Sequence, residues 1–182
     1  MDIIVVSDVF GKTPALITLS NELNAIKVID PYNGIDMDFK SESEAYSYFM
    51  EQVGLDAYLE KIREQIQQLT STVTLIGFSI GASAIWRLSE KTTTSHVNRA
   101  VCFYGSQIRN FISIEPQFEV ELVFPNSEPH FDVCRLQSYL SKKQNVTTSQ
   151  VACLHGFMNY YSNNYNQVAY KEQINRLRQN VY

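Results

Sequence analysis

The chain has no apolar run long enough to cross a bilayer, which takes about 20 consecutive apolar residues. It also lacks charge. Only 19 % of its 182 residues are charged, and the net charge is −4. Without a basic excess it has no hold on a phosphate backbone, so no nucleic-acid partner is expected, and no membrane partner either. The opening, Met1-Asp2-Ile3-Ile4-Val5-Val6, lacks the basic flank and small-residue cleavage site of a signal peptide. It reads as a first strand of a cytoplasmic protein. Cys102, Cys134 and Cys153 are odd in number and lie in or near apolar segments, so buried free thiols in a reducing compartment are expected rather than disulfides. Asn145-Val146-Thr147 matches a glycosylation sequon, which carries no meaning in a cytosolic chain. Glycine (7) and proline (5) are sparse, and there is no repeat, low-complexity stretch or linker. One domain over residues 1–182 is expected. With only 3 histidines, the choice of a general base is narrow.

What the chain does have is hydrophobic residues, 45 % of the total, in short blocks between helical patterns. Strands are expected at Ile3 to Ser7, Ala25 to Ile29, Val73 to Ile76, Arg99 to Tyr104, Phe118 to Phe124 and Gln150 to Leu154. Thr13 and Pro14 fit the N-cap and first position of a helix whose buried face is Leu16, Leu19 and Leu23. A second helical region opens at Ser41 and runs to about Leu69, with a break at Gly54. Further helices follow Ser79 to near Lys91, cover about Asp132 to Lys142, and run from about Asn166 to Gln179. Strands apolar on both faces, alternating with helices, predict an α/β fold with a mostly parallel sheet of about six strands and helices on both faces. In such sheets the site lies beyond the carboxyl ends of the strands.

One stretch organises the rest. Val73 to Ile76 is a buried strand, Gly81 to Trp86 is a helix of small and apolar residues, and between them sits Gly77-Phe78-Ser79-Ile80-Gly81. A bare G-x-S-x-G is common. Flanked by strand and helix, it is the pattern of a nucleophile elbow, where a serine is held on a strained turn with its Oγ exposed. The glycines let neighbouring backbone pass where a Cβ would clash.

The other strand ends supply partners. His155 follows the sixth expected strand, and Glu128 follows the fifth. The order serine, acid, histidine is that of an α/β-hydrolase. A serine hydroxyl needs a base to take its proton, an imidazole titrates near neutral pH, and a carboxylate fixes the tautomer. His130 competes as base, because it sits in the acid loop, whereas His96 is remote from the strand ends. Asp132 competes as acid, although its position suits a helix cap. An oxyanion hole is expected from the backbone N–H groups of Ile80 and of Val9 in the loop after the first strand. Phe10, Tyr104 and Phe157, with Tyr32, Phe131, Tyr160 and Tyr161, are candidates to line an apolar substrate pocket.

These residues together resemble the dienelactone hydrolase family. Ile3 to Gly11 is similar to its opening strand and acidic-apolar-Phe-Gly loop. The elbow is similar to its Gly-x-nucleophile-x-Gly-Gly, Phe103-Tyr104-Gly105 to its aromatic-Tyr-Gly, and His155-Gly156-Phe157 to its His-x-Phe. The resemblance implies a hydrolase of small esters or lactones that works through an acyl-enzyme without metal or cofactor. There are departures. Ser79 stands where the founding enzymes have cysteine, and Ala82 replaces the second glycine. Glu128-Pro129-His130-Phe131 has one residue more than the family's Asp-His-Phe. Asn159 takes the place of an arginine that binds the carboxylate of the substrate. The family's strands ahead of the first β-α unit are missing, and the segment after Gly105 is too short for a lid, so a minimal open-sited hydrolase core is expected. A non-catalytic binding protein on the same fold, or a thioesterase or acyltransferase with the same triad, stays open at this stage.

Overall fold

A computed structural model describes residues 2–90 and 96–180. Its sheet has six strands: β1 (Asp2–Val6), β2 (Lys27–Ile29), β3 (Val73–Phe78), β4 (Val97–Phe103), β5 (Glu119–Phe124) and β6 (Val146–Gln150). They lie in the order β2-β1-β3-β4-β5-β6, and every pairing is parallel. The helices are α1 (Pro14–Glu22), α2 (Glu42–Gln52), α3 (Gly54–Gln67), α4 (Ile80–Leu88), α5 (Val133–Leu140) and α6 (Gln167–Asn180). The end of α4 was expected near Lys91, which lies outside the described residues; the helix stops at Leu88.

Alternate residues of each inner strand face opposite ways, so each strand feeds two cores. Ile4, Leu75, Cys102 and Leu122 pack against α2, α3, α4 and α5, around Phe49, Ile62 and Trp86. Ile3, Val5, Ile76, Phe78 and Phe103 pack against α1 and α6, around Leu19, Ile174 and Leu177. Helices therefore cover both faces, as the unbroken apolar strands require.

Local chemistry sets the helix starts. Thr13 Oγ1 accepts from the Leu16 N–H at 3.2 Å with Pro14 next in the chain, and Ser41 Oγ accepts from the Glu44 N–H at 3.2 Å. The break at Gly54 has φ +76°, a conformation that favours glycine.

Two expectations are corrected. The last strand is Val146–Gln150, not Gln150 to Leu154; the latter segment stays beside the end of β5, with the Val151 N–H donating to Phe124 O at 3.0 Å, but is not strand. An edge strand needs only one well-buried partner, so Val146-Thr147-Thr148-Ser149 can be polar, and its apolar signal is weak. Of the cysteines, Cys102 is buried, Cys153 is partly buried and Cys134 is exposed, because Cys134 lies on the outer face of α5. All are free thiols. No helix among the described residues is long and apolar enough to cross a membrane.

Candidate active site

Ser79 sits between the end of β3 and the first residue of α4, with φ 50° and ψ −110°. Only a tightly held turn keeps a serine there. Its N–H donates to Phe103 O at 2.9 Å, and its carbonyl accepts from the Ser83 N–H at 3.0 Å. The glycines of the motif are there for room. A Cβ on Gly81 would lie 2.3 Å from Ser7 O, and one on Gly77 would lie 2.5 Å from Ile85 Cδ1 and 2.9 Å from Ala82 N. The turn is thus pressed between β1 and its own helix.

Ser79 Oγ is 2.9 Å from His155 Nε2, and His155 Nδ1 is 2.7 Å from Glu128 Oε1. A carboxylate only accepts, so Nδ1 carries the proton toward Glu128, and Nε2 is left to accept from the Ser79 hydroxyl. The Glu128 side chain is 6 % exposed. A short antiparallel bridge between Glu128 and Phe131 closes its loop, and the Asn126 N–H donates to Cys153 O at 2.7 Å, tying that loop to the histidine segment. Burial alone would lower the His155 pKa. The Glu128 hydrogen bond and the charges of Glu128, Glu42 and Asp8 outweigh it and raise the pKa above the ordinary 6.5.

The competitors lie elsewhere. Asp132 Oδ1 accepts from the Arg135 N–H at 2.9 Å and caps α5. His130 is exposed on the cleft wall and does not meet Ser79. Val9 lines the same cleft as Ser79, and Ile80 follows Ser79 in the chain. Ile80 opens α4, so its N–H has no partner within the helix. Val9 O accepts from the Tyr32 hydroxyl at 2.7 Å, which holds the loop after β1 in place.

Asp8 completes the inner shell. Its Oδ1 accepts from the Phe10 N–H at 3.0 Å and its Oδ2 from Asn159 Nδ2 at 2.5 Å. Burial pushes its pKa up to about 6 against these two hydrogen bonds; Glu42 adds to the rise, and His155 opposes it.

A cleft of about 390 Å³ opens over Ser79 and His155, walled by Glu42, Tyr46, Gln107, Arg109 and Phe131 among others. Phe10, Tyr104 and Phe157 do not line it. They are 4 %, 2 % and 0 % exposed, and Phe10 and Tyr104 instead line a small pocket beneath it, beside Ser79 and His155. Large rings next to a parallel sheet gain most by full burial. Phe157 packs on Phe103 and Tyr104, and the Tyr104 ring lies 4.9 Å from the His155 ring, supporting it from within. Tyr32 is likewise buried, and Tyr160 and Tyr161 border a separate groove; of the seven aromatics only Phe131 walls the cleft.

Glu42 was not singled out by the sequence, where it reads as the first residue of a helix. Its Oε1 lies 3.8 Å from His155 Nε2. No signal in the sequence marks it, because it opens α2, 13 residues after the end of β2.

The profile of the dienelactone hydrolase family matches residues 36–180. The chain belongs to this family. The match begins after β2, so the Asp8-Val9-Phe10-Gly11 loop lies outside it. An uncharacterised protein of Bacillus subtilis strain 168, YczH, is 34 % identical to the chain over 142 residues, covering 76 % of this chain and 69 % of YczH. Among solved structures, a dienelactone hydrolase-like promiscuous phosphotriesterase, P91, from metagenomic libraries superposes with a TM-score of 0.64 at 14 % identity, over 98 % of this chain and 85 % of P91. Est1E from Butyrivibrio proteoclasticus, with ferulic acid bound, gives 0.64 at 9 % identity, over 100 % of this chain and 88 % of its own. A lipase-esterase related protein from Clostridium acetobutylicum gives 0.63 at 10 % identity, over 98 % and 93 %. At such identities these likenesses bear on the fold, which is that of the α/β-hydrolases.

Proposed function

We propose that this hydrolase-family chain is a serine hydrolase of small carboxylic esters or lactones, with Ser79 as nucleophile, His155 as general base and acid, and Glu128 as the group that orients His155. The observation that carries it is the unbroken run of hydrogen bonds from Ser79 Oγ through His155 to Glu128, on a serine held at φ 50°. Membership of the dienelactone hydrolase family supports the ester and lactone chemistry.

The steps follow from the geometry. As Ser79 Oγ bonds to the carbonyl carbon, its proton passes to His155 Nε2. The carbonyl oxygen gains the negative charge, and the N–H groups of Val9 and Ile80 are the donors for it. Glu128 steadies the imidazolium without taking its proton. The bond to the leaving oxygen then breaks, and that oxygen takes the proton from Nε2. Water repeats the sequence on the acyl-enzyme, with Nε2 accepting its proton, and the acid is released.

The test is labelling with a fluorophosphonate followed by peptide mapping, on wild type, Ser79→Ala and His155→Ala. Label on Ser79 that is lost in both variants, with turnover of short-chain esters or lactones, is the expected result. Folded wild type that takes no label and turns over no ester would mark a binding protein on a hydrolase fold.

A further inference from the structure

Nε2 of His155 is the atom that hands the proton to the departing oxygen, if Ser79 is the nucleophile as proposed above. A side chain close to Nε2 on the cleft side therefore stands beside the alcohol half of the ester, not beside the acyl half. Glu42 is that side chain. Its Oε1 lies 3.8 Å from Nε2, it lines the same cleft as Ser79, and it is 44 % exposed. Its backbone is pinned by reciprocal caps around it. Ser41 Oγ accepts from the Glu44 N–H at 3.2 Å, and Glu44 Oε2 accepts from the Lys40 N–H at 2.8 Å. Among the described residues the Glu42 carboxylate has no hydrogen bond and no ion pair beyond its approach to His155.

The surrounding charges leave Glu42 unanswered. The charged groups that act on His155 are Glu128, Glu42 and Asp8, all carboxylates. Glu128 is taken up by Nδ1, and Asp8 is buried on Phe10 and Asn159. The cleft does hold a cation, Arg109. Its guanidinium lies over the Phe131 ring at 5.3 Å and donates to Ser106 O at 2.5 Å. It is not among the groups acting on His155. The substrate side of Nε2 is thus faced by one free negative charge.

We propose that Glu42 selects the alcohol half of the substrate, favouring an ester whose alcohol carries a cationic group and rejecting one whose alcohol carries a carboxylate. A single charge pair a few ångströms apart at a half-exposed site is worth about tenfold in specificity, and salt reduces it.

The test uses acetate esters matched in size whose alcohol ends in a quaternary ammonium, a tert-butyl group or a carboxylate: acetylcholine, 3,3-dimethylbutyl acetate and 4-acetoxybutyrate. For wild type, kcat/KM is expected to fall about tenfold at each step from cation to neutral to anion, with the spread narrowing as salt rises. Glu42→Gln should bring the three within about twofold, and Glu42→Lys should reverse their order. Thermal melts check that each variant is folded. No spread in wild type, or a spread that persists in Glu42→Gln, overturns the proposal while leaving the serine-hydrolase reading intact. Absence of both labelling at Ser79 and ester turnover removes that reading, and this proposal with it.

Discussion

Replacing Asp8 by asparagine measures what the buried carboxylate costs the fold. Asp8 is 8 % exposed, and burial is the main reason its pKa rises from 3.8 to about 6, despite the hydrogen bonds from Phe10 and Asn159. Other groups act on it as well: Glu42 raises its pKa and His155 lowers it. In the unfolded chain the carboxyl titrates near its ordinary value. Between the two pKa values the folded protein holds a proton that the unfolded chain has released, so stability must fall as pH rises through that window. The contribution is fully present below about pH 4 and gone above about pH 6. A rise from 3.8 to about 6 corresponds to about 3 kcal/mol in the limit, and about 2 kcal/mol of it is lost between pH 4 and pH 7. The asparagine of the variant cannot titrate. Urea unfolding of wild type and Asp8→Asn at both pH values gives the quantity cleanly. Wild type should lose about 2 kcal/mol more than the variant on going from pH 4 to pH 7. The fixed cost of turning an amide toward the Asn159 amide cancels in this double difference, and what remains includes the coupling between Asp8 and His155. Equal losses would refute the reasoning, because they would mean that the buried carboxylate titrates as it does in water. A larger loss in the variant would reverse its sign.

Further outcomes are expected. Activity should rise with pH through a midpoint above 6.5, since Ser79 needs a neutral His155 and the carboxylates around that ring raise its pKa. The stability His155 gains from those carboxylates is fully present below about pH 6.5 and is lost as pH rises through the raised value. Glu128→Gln should cut turnover about 10⁴-fold and move the remaining acidic limb to lower pH in a pH-rate profile. Gly81→Ala drives a Cβ to 2.3 Å from Ser7 O and 2.8 Å from Val6 O, backbone that cannot yield, so a loss of about 3 kcal/mol is expected, seen as a Tm about 6–12 °C lower. Tyr58→Phe removes a buried hydroxyl whose one proton is shared between Ser7 O and Ile29 O, each at 3.1 Å, and should cost about 1–2 kcal/mol by urea titration.

The sequence made some of this architecture plain and hid the rest for physical reasons. Ser79 was legible because its turn needs glycine on both sides, and glycine leaves a mark. The meeting of Glu128 and His155 with Ser79 was legible because the loops after the strands of a parallel sheet gather at one edge. β6 was misplaced because an edge strand can be built from threonine and serine, without the apolar run that marks inner strands. Phe10, Tyr104 and Phe157 stand at strand ends in sequence, but how deeply each ring is buried depends on the two-sided core, which only the fold shows. Glu42 gave no sign, since a glutamate at the start of a helix is ordinary chemistry. Only the fold brings it to His155.

Every pairing in the sheet is parallel, and β1 lies between β2 and β3, with Ile4 beside Leu75. No hairpin exists in this sheet to form early, so each strand must wait for a distant part of the chain, a topology that slows folding. Ser79 lies 76 residues from His155, and His155 lies 27 from Glu128. The hydrogen-bonded run from Ser79 to Glu128 is therefore incomplete until β5, β6 and the loop beyond them have docked. Reactivity at Ser79 should be among the last properties regained during refolding, later than helical circular dichroism, which makes a covalent probe of that serine a clock for completion of the whole sheet.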